Sequence, residues 1–121
     1  MRQLTIEDIK WRVECLPEYI PISGNAISTG NTEKDIKYER ELYQKSKTNP
    51  WAWCTIKVTG EFKGLSCDDY LGCCSYNSRK DFLECPYYAD IQNGILVDIM
   101  SQVQDIVNFM EQDETIIKTT S

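Results

Sequence analysis

The sequence contains no histidine, the side chain that most often performs acid–base catalysis near neutral pH. It also lacks a glycine-rich phosphate-binding loop, and no apolar run approaches the ~20 residues that span a bilayer. The N-terminal residues mix charged and apolar side chains and lack the apolar centre of an export signal. We therefore expect a cytoplasmic protein that is neither an enzyme nor a membrane protein and that carries no cofactor.

Basic residues are also scarce: 13 lysines and arginines stand against 19 aspartates and glutamates, for a net charge of −6. The imbalance lies in the second half, because residues 61–121 contain 11 acidic and 4 basic side chains. Direct binding to a nucleic-acid duplex rewards clustered lysine and arginine, so this function is not expected. The negative charge of this half is typical either of a surface that binds a basic partner or of an ordinary solvated surface.

The six cysteines do not show the paired spacing of a zinc site. Cys73 and Cys74 are adjacent, and neighbouring strand residues point to opposite faces, so these thiols are poorly placed to share a metal. Without an export signal, disulfides are not expected either. We predict free, mostly buried thiols that act as small apolar side chains. Cys85, just before Pro86 at a helix start, is the best candidate nucleophile but lacks a histidine to activate it.

The length of 121 residues and the hydrophobic fraction of 41% fit a single domain over residues 1–121. Residues 17–31 contain two prolines and several glycines and serines, and they predict a long loop. Loops of this length commonly carry function. Residues 113–121 are polar and predict a flexible tail.

Two helices are predicted before the strands. The first starts at Thr5, where Asp8 completes a capping box, and it ends before Pro17. The second runs from about Thr32 to Lys47 and has a solvated outer face. The apolar residues at helical spacing in the first helix are Ile6, Ile9, Val13 and Leu16.

A β-hairpin is predicted over residues 51–76. Lys63 and Gly64 begin the reversal, and the returning strand starts near Tyr70. Gly72 indicates a bulge or a close backbone approach in that strand. The residues expected on the core face of the first strand are Ala52, Cys54, Ile56, Val58 and Phe62.

A sheet of two strands is only marginally stable, so we expect a third strand. It comes either from residues 19–22, at a sheet edge, or from a second subunit. A long helix over about residues 87–111 is expected to cover the sheet. Its apolar surface exceeds what a small sheet can bury, which favours a homodimer. The predicted fold is α+β in the order α-α-β-β-α.

Five aspartates are the first candidates for contact with a basic partner. Asp90, Asp98 and Asp105 fall on the polar side of the long helix as an acidic ridge. Asp68 and Asp69 are adjacent in the hairpin, where their frequent occurrence at turns also explains them. Trp51 is a further partner-binding candidate, unless it packs in the core.

A small ligand is the second interpretation of the same sequence. The loop could present backbone N–H groups to an anion, and aromatic rings could stack on a base. The candidate ligand-binding residues are Ser23, Gly24, Asn25, Tyr70 and Tyr76, with Trp51 as a further stacking ring.

The segments WAWCTIKV, DYLGCCSY, DF and YYADI resemble a family of small proteins found in phages, prophages and mobile elements. In that family W-A-W-C-x-V-x-V leads to D-Y-L-G-x-C-S-Y and then to D-F and Y-Y-x-D-M. The upstream ISGNAISTGN is similar to the family's G-N-A-x-x-S-G-D, with Asn31 where aspartate is commoner. The resemblance covers residues 21–91 and implies a setting rather than a mechanism.

That setting implies a counter-defence inhibitor, of the anti-CRISPR or anti-restriction type, which binds a host defence protein or complex. The alternatives are a protein that sequesters a nucleotide messenger and a structural or accessory phage protein. The acidic ridge, which could occupy a basic nucleic-acid channel, favours the first of these hypotheses.

Overall fold

A computed structural model describes residues 2–26 and 32–112. These residues form a three-stranded antiparallel sheet and three α-helices, with two single-turn 3-10 helices, so the α+β class is confirmed. The elements in chain order are β1 (Lys10–Leu16), α1 (Glu33–Ser46), β2 (Cys54–Phe62), β3 (Leu65–Cys74), α2 (Arg79–Leu83) and α3 (Pro86–Gln112). The predicted order α-α-β-β-α is wrong, because a strand comes first.

The prediction of a first helix is wrong, because most of that segment forms the strand β1. Thr5 and Asp8 do form a capping box, but it caps only the 3-10 turn Ile6–Asp8. The chain then extends into β1, whose sequence KWRVECL alternates charged and apolar side chains. Ile9 and Val13 are both buried and four residues apart, a spacing that fits both a helix and a strand. The alternation of charged and apolar side chains around them favours the strand.

β1 is also the third strand that the hairpin requires. The sheet order is β1-β2-β3, and Val13 lies opposite Val58 in the antiparallel pair of β1 and β2. The predicted edge strand over residues 19–22 does not form; this stretch is irregular and Ile22 packs beside α1. A strand from a second subunit is therefore not needed to complete the sheet.

The hairpin forms as predicted, with its core face on β2. Lys63 and Gly64 have φ of 47° and 83°, which is the left-handed geometry of a tight two-residue hairpin turn. The turn is so short that β3 begins at Leu65 rather than near Tyr70. Asp68 and Asp69 consequently lie within a strand and not in the reversal.

A bulge interrupts β3, in line with the prediction at Gly72. Ile56 pairs with Leu71 but Cys54 pairs with Cys74, so β3 holds one extra residue there. Cys73 lies in the bulge and has a φ of 54°, which is uncommon for residues other than glycine. The bulge reverses the alternation, so that Leu71 and Cys74 both pack toward the core.

α3 packs across one face of the sheet, as predicted. Its fully buried residues Ile95 and Ile99 meet Ile56 and Val58 from β2. Phe82 from α2 is completely buried at the end of this core. About 40 Å of helix lies over strands of about 30 Å, so the C-terminal turns of α3 extend past the sheet.

α1 forms as predicted, with the side chain of Thr32 accepting a hydrogen bond from the Asp35 backbone N–H at 3.1 Å. It packs away from the main core, in a second cluster that contains Leu42, Ala52 and Ile22. Trp53 is half-buried against this cluster. The predicted tail at 113–121 and the part of the loop at 27–31 lie outside the described residues.

Side chains form hydrogen bonds with backbone groups along both outer strands. The guanidinium of Arg79 donates to the Val13 carbonyl of β1 at 2.8 Å. On β3, the Gln102 amide donates to the Ser66 carbonyl at 3.2 Å, and the Cys73 N–H donates to the Glu18 carboxylate. Exposed strand edges are templates for pairing with other chains, so these contacts oppose association through the sheet.

Candidate acidic interface

A cavity of about 480 Å³ lies between the edge strand β3 and the helix α3. Three of the five aspartates predicted from the sequence line it, namely Asp68, Asp69 and Asp98. Asp69 lies on the α3 side of β3, opposite the core residue Val58 of β2, whereas Asp68 lines the cavity from the strand edge and its carboxylate lies 3.9 Å from Lys57. The structure thus brings Asp69 to the same cavity as Asp98, although the two residues are far apart in the sequence.

Asp98 is fixed across the cavity by a thiol. The Cys67 Sγ–H donates to the Asp98 carboxylate at 3.3 Å. Burial and the nearby Asp98 carboxylate raise the pKa of Cys67 to about 11, because both oppose formation of a second negative charge. Cys67 therefore stays a neutral donor near pH 7 and holds Asp98 against β3.

Asp90 and Asp105 extend the acidic surface along α3. Both are exposed, and they lie about 12 and 10 Å along the helix axis from Asp98 on either side. No ion pair joins Asp69, Asp90, Asp98 or Asp105 to a cation within residues 2–26 and 32–112. We call these four residues together with Asp68 the acidic face.

One cation lies close to the acidic face. Lys57 is 3.9 Å from the Asp68 carboxylate and 5.6 Å from the centre of the Tyr70 ring. A hydrogen bond with Tyr70 and the charge of Asp68 raise the pKa of Lys57, so it is fully charged at neutral pH. Such a solvent-exposed pair contributes little stability and leaves most of the negative charge uncompensated.

Trp51 is not part of the acidic face. It lies in the 3-10 helix Pro50–Ala52 and is half-buried against the main core. Its carbonyl accepts a hydrogen bond from the Tyr76 N–H at 2.8 Å. The half-buried Tyr76 ring packs edge-on against Phe82 with a centroid distance of 5.1 Å, so Trp51 and Tyr76 both pack against the main core.

The residues predicted to bind a small ligand are not brought to one place. Tyr70 is exposed on the sheet face opposite α3, whereas Tyr76 follows the end of β3 and is half-buried against the main core. Ser23, Gly24 and Asn25 form a turn beside α1. The Gly24 N–H already donates to the Glu39 carboxylate at 3.2 Å, which occupies the group expected to meet an anion.

All six cysteines are free thiols, two of them buried and four half-buried. Burial raises the pKa of Cys54 and Cys74, the latter to about 11, because a thiolate is poorly solvated in the core. The Cys85 thiol lies 3.5 Å from the Tyr76 hydroxyl. Within the described ranges, no group of three or more potential ligands is arranged to hold a metal ion.

Sequence reasoning missed Cys67, which positions Asp98. The sequence predicts that the returning strand starts near Tyr70, and Cys67 then falls outside it, whereas β3 begins at Leu65. Alternation counted from Lys63 and Gly64 would have found it, since Cys67 lies opposite Gly60 on the core side.

No helix in the part of the chain that the structure describes has the length and apolar character needed to span a membrane. No protein-family model, curated protein or solved structure matches the chain at a significant level.

Proposed function

We propose that this chain is a counter-defence inhibitor of the anti-CRISPR or anti-restriction type, encoded by a phage or mobile element. It acts by binding a host defence protein or complex and makes or breaks no covalent bond. The observation that carries the proposal is the acidic face, in which Asp68, Asp69 and Asp98 line one cavity and Lys57 is the one cation paired with any of them among the described residues.

Like charges held together cost folding free energy, because each carboxylate raises the energy of its neighbours. A basic partner turns that cost into attraction and accelerates association at low ionic strength. Nucleic-acid-binding channels of nucleases and effector complexes are basic for the same reason. The acidic face is suited to occupy such a channel and to exclude the nucleic acid from it.

The side chains of the acidic face are positioned by folded elements and not by loops. Asp98 lies mid-way along α3 and is hydrogen-bonded to Cys67, and Asp69 accepts the Tyr70 N–H at 2.9 Å. Such positioning lowers the entropy that is lost when the face meets a partner. This fits an inhibitor that competes with a polyanion.

The test is partner capture by a charge-reversed variant. The variant carries Asp68→Lys, Asp69→Lys and Asp98→Lys, and its control carries Glu33→Lys, Glu41→Lys and Glu84→Lys, with the same change in net charge. Each is used as bait in lysate of the host, and bound proteins are identified by mass spectrometry. We expect the wild type and the control to retain a common partner that the acidic-face variant loses.

A captured partner is then assayed for nucleic-acid binding with and without the inhibitor. Displacement of nucleic acid by the wild type, weakened by salt and by the acidic-face substitutions, supports the proposal. Equal capture by both triple variants would contradict it. Turnover of a substrate by the purified chain would also contradict it.

We also propose that the chain forms a homodimer through α3. Ile106, Phe109 and Met110 are exposed on the turns that extend past the sheet, at the i, i+3, i+4 spacing of a single helix face. Side-chain contacts along both sheet edges oppose the alternative of association through β-strands.

A further inference from the structure

Another cavity, of about 280 Å³, lies where the hairpin turn and the N-terminal residues 2–4 meet α3. None of the five aspartates of the acidic face lines it. The cavity is therefore a separate feature of the surface, and binding through the acidic face does not occupy it. The apolar part of its lining consists of Leu4, Phe62, Met100 and Val103.

The charged groups that line this cavity are basic. They are Arg2 and Lys63, and no carboxylate among the described residues lines it. The two carboxylate oxygens of Asp8 accept the Arg2 guanidinium at 2.8 and 2.7 Å, so the charge of Arg2 is already balanced. Lys63 has no ion-pair partner within residues 2–26 and 32–112 and lies 5.7 Å from the centre of the Phe62 ring. The cavity therefore favours an occupant that combines apolar side chains with a carboxylate.

The end of α3 has this combination of side chains. Phe109 is 64% exposed and Met110 is 53% exposed, and Glu111 follows them near the end of the helix. Glu111 is exposed and makes no ion pair in the part of the chain that the structure describes. One chain thus presents both a basic, apolar cavity and an acidic, apolar helix end.

The helix end cannot enter the cavity of its own chain. α3 is continuous to Gln112, and Met110 lies about 10 Å along the helix axis from Val103 in the cavity lining. Two copies related by a two-fold axis satisfy both surfaces, because each helix end then meets the cavity of the other copy. Antiparallel helices that cross near the exposed Ile106 meet this condition, since Ile106 is about midway between Val103 and Met110.

We propose that the end of α3 from a second copy of this chain fills the cavity, and that Glu111 of each copy pairs with Lys63 of the other. The inference deepens the homodimer proposed above and rests on it. Met110 is the apolar anchor, because a flexible thioether side chain fits an irregular cavity. Each cavity is complete only in the dimer.

The direct test is a cross-link between the two charged groups. Equal amounts of unlabelled and heavy-isotope-labelled chain are mixed and treated with a carbodiimide, which condenses a lysine amine with a carboxylate to an amide and itself takes up the water. Peptide mapping by mass spectrometry then separates links between copies from links within one copy. We expect a mixed-label product in which Lys63 is joined to Glu111.

Charge reversal gives an independent measurement by sedimentation equilibrium at low ionic strength. Lys63→Glu and Glu111→Lys should each weaken the dimer by about tenfold or more, which is ~1.4 kcal/mol, because each turns two attractive pairs of a symmetric dimer into repulsive ones. The double variant should recover most of the lost affinity, since it restores both pairs in reversed order. Lys10→Glu and Glu41→Lys make the same charge changes at exposed positions outside the cavity lining and should leave the dimer unaltered.

Absence of the link between copies, or a double variant as weak as the single ones, would overturn the inference. If the wild type still dimerises in that case, association through α3 stands without the cavity contact, whereas a monomeric wild type contradicts both. Binding of octanoate to a monomeric wild type, with NMR shifts at Leu4 and Val103, would assign the cavity to a small amphipathic acid instead. These variants keep all five aspartates of the acidic face, so capture of its basic partner is tested separately.

Discussion

The Cys67 thiol donates a 3.3 Å hydrogen bond to the Asp98 carboxylate and so joins the edge strand β3 to the middle of α3. The two residues are 31 positions apart, and their contact closes one side of the cavity in the acidic face. A thiol is a weak donor, so the contact positions Asp98 more than it stabilises the fold.

Removing that carboxylate should make Cys67 more reactive. Burial and Asp98 together raise its pKa to about 11, so Asp98→Asn should lower the pKa partway toward the ordinary value. The rate of alkylation by iodoacetamide near pH 8 should then rise, because the thiolate is the nucleophile. Peptide mapping by mass spectrometry isolates Cys67 from the other five cysteines.

Asp105→Asn is the control for this experiment, since Asp105 is exposed on the same helix outside the cavity lining. The control should alkylate Cys67 at the wild-type rate. If Asp98→Asn behaves like the control, the two side chains do not interact in solution.

Much of the fold could be predicted from local sequence signals. The hairpin, the start of α1 at Thr32 and the long C-terminal helix are each encoded within a few neighbouring residues. The first strand was missed because its apolar residues fit two periods. The alternation of charged and apolar residues in KWRVECL favours the extended form, and pairing with β2, where Trp11 faces Gly60, stabilises it.

The acidic face was predicted in composition but not in arrangement. Charge counting finds all five aspartates, yet bringing Asp69 to Asp98 depends on the register of β3 and on how α3 crosses the sheet.

Gly60 of β2 packs closely against Ile95 of α3. A Cβ at this position would lie 2.7 Å from Ile95 Cγ2 and 3.0 Å from both Ile9 and Trp11. Gly60→Ala should therefore lower the free energy of unfolding by about 1–3 kcal/mol through overpacking. Urea denaturation followed by circular dichroism measures the change.

Gly94→Ala, at an exposed position of α3, gives the opposite expectation. No atom lies within 4 Å of a Cβ placed there, and the residue is inside α3. Alanine should raise the free energy of unfolding by about 0.5–1 kcal/mol, because glycine is a poor helix former. Equal effects of the two substitutions would mean that α3 does not cross the sheet at Gly60.

Arg79 should protect the β1 edge. Its guanidinium donates to the half-buried Val13 carbonyl at 2.8 Å, so Arg79→Ala leaves that acceptor without its partner. We expect a loss of about 1.5–3 kcal/mol in the free energy of unfolding. Light scattering should also show more aggregation on heating, since the strand edge is uncovered.

Lys80→Ala on the same helix is the comparison. Lys80 pairs with Glu84 at 3.7 Å in an exposed i,i+4 arrangement. Its removal should change the free energy of unfolding by less than ~0.5 kcal/mol and leave aggregation unaltered. Similar behaviour of the two variants would show that the bond to Val13 is not made.

Glu18 should make part of the stability depend on pH. The Cys73 N–H donates to its carboxylate and lowers the pKa of Glu18 below the ordinary 4.5. A group whose pKa is lowered on folding contributes stability above its unfolded pKa, and this contribution is lost as the pH falls through its folded pKa. The Glu18→Gln variant should be less stable than the wild type at pH 7.

The difference between these two proteins should shrink as the pH falls below about 4.5, because the wild-type carboxyl also becomes neutral. Glu41→Gln, an exposed change on α1, should follow the wild-type pH profile. A constant difference between Glu18→Gln and the wild type from pH 7 to pH 3 would rule out the charged hydrogen bond.

Phe109 should control self-association. It is 64% exposed beyond the end of the sheet, next to Met110 and one turn from Ile106. Sedimentation equilibrium should show a concentration-dependent dimer for the wild type and a monomer for Phe109→Glu, because the substitution places a charge in an apolar contact. Val97 is also 64% exposed, but it lies nine residues before Ile106 and therefore projects from the opposite side of α3. Val97→Glu should therefore remain dimeric, and a monomeric wild type or a dimeric Phe109→Glu would contradict association through this face.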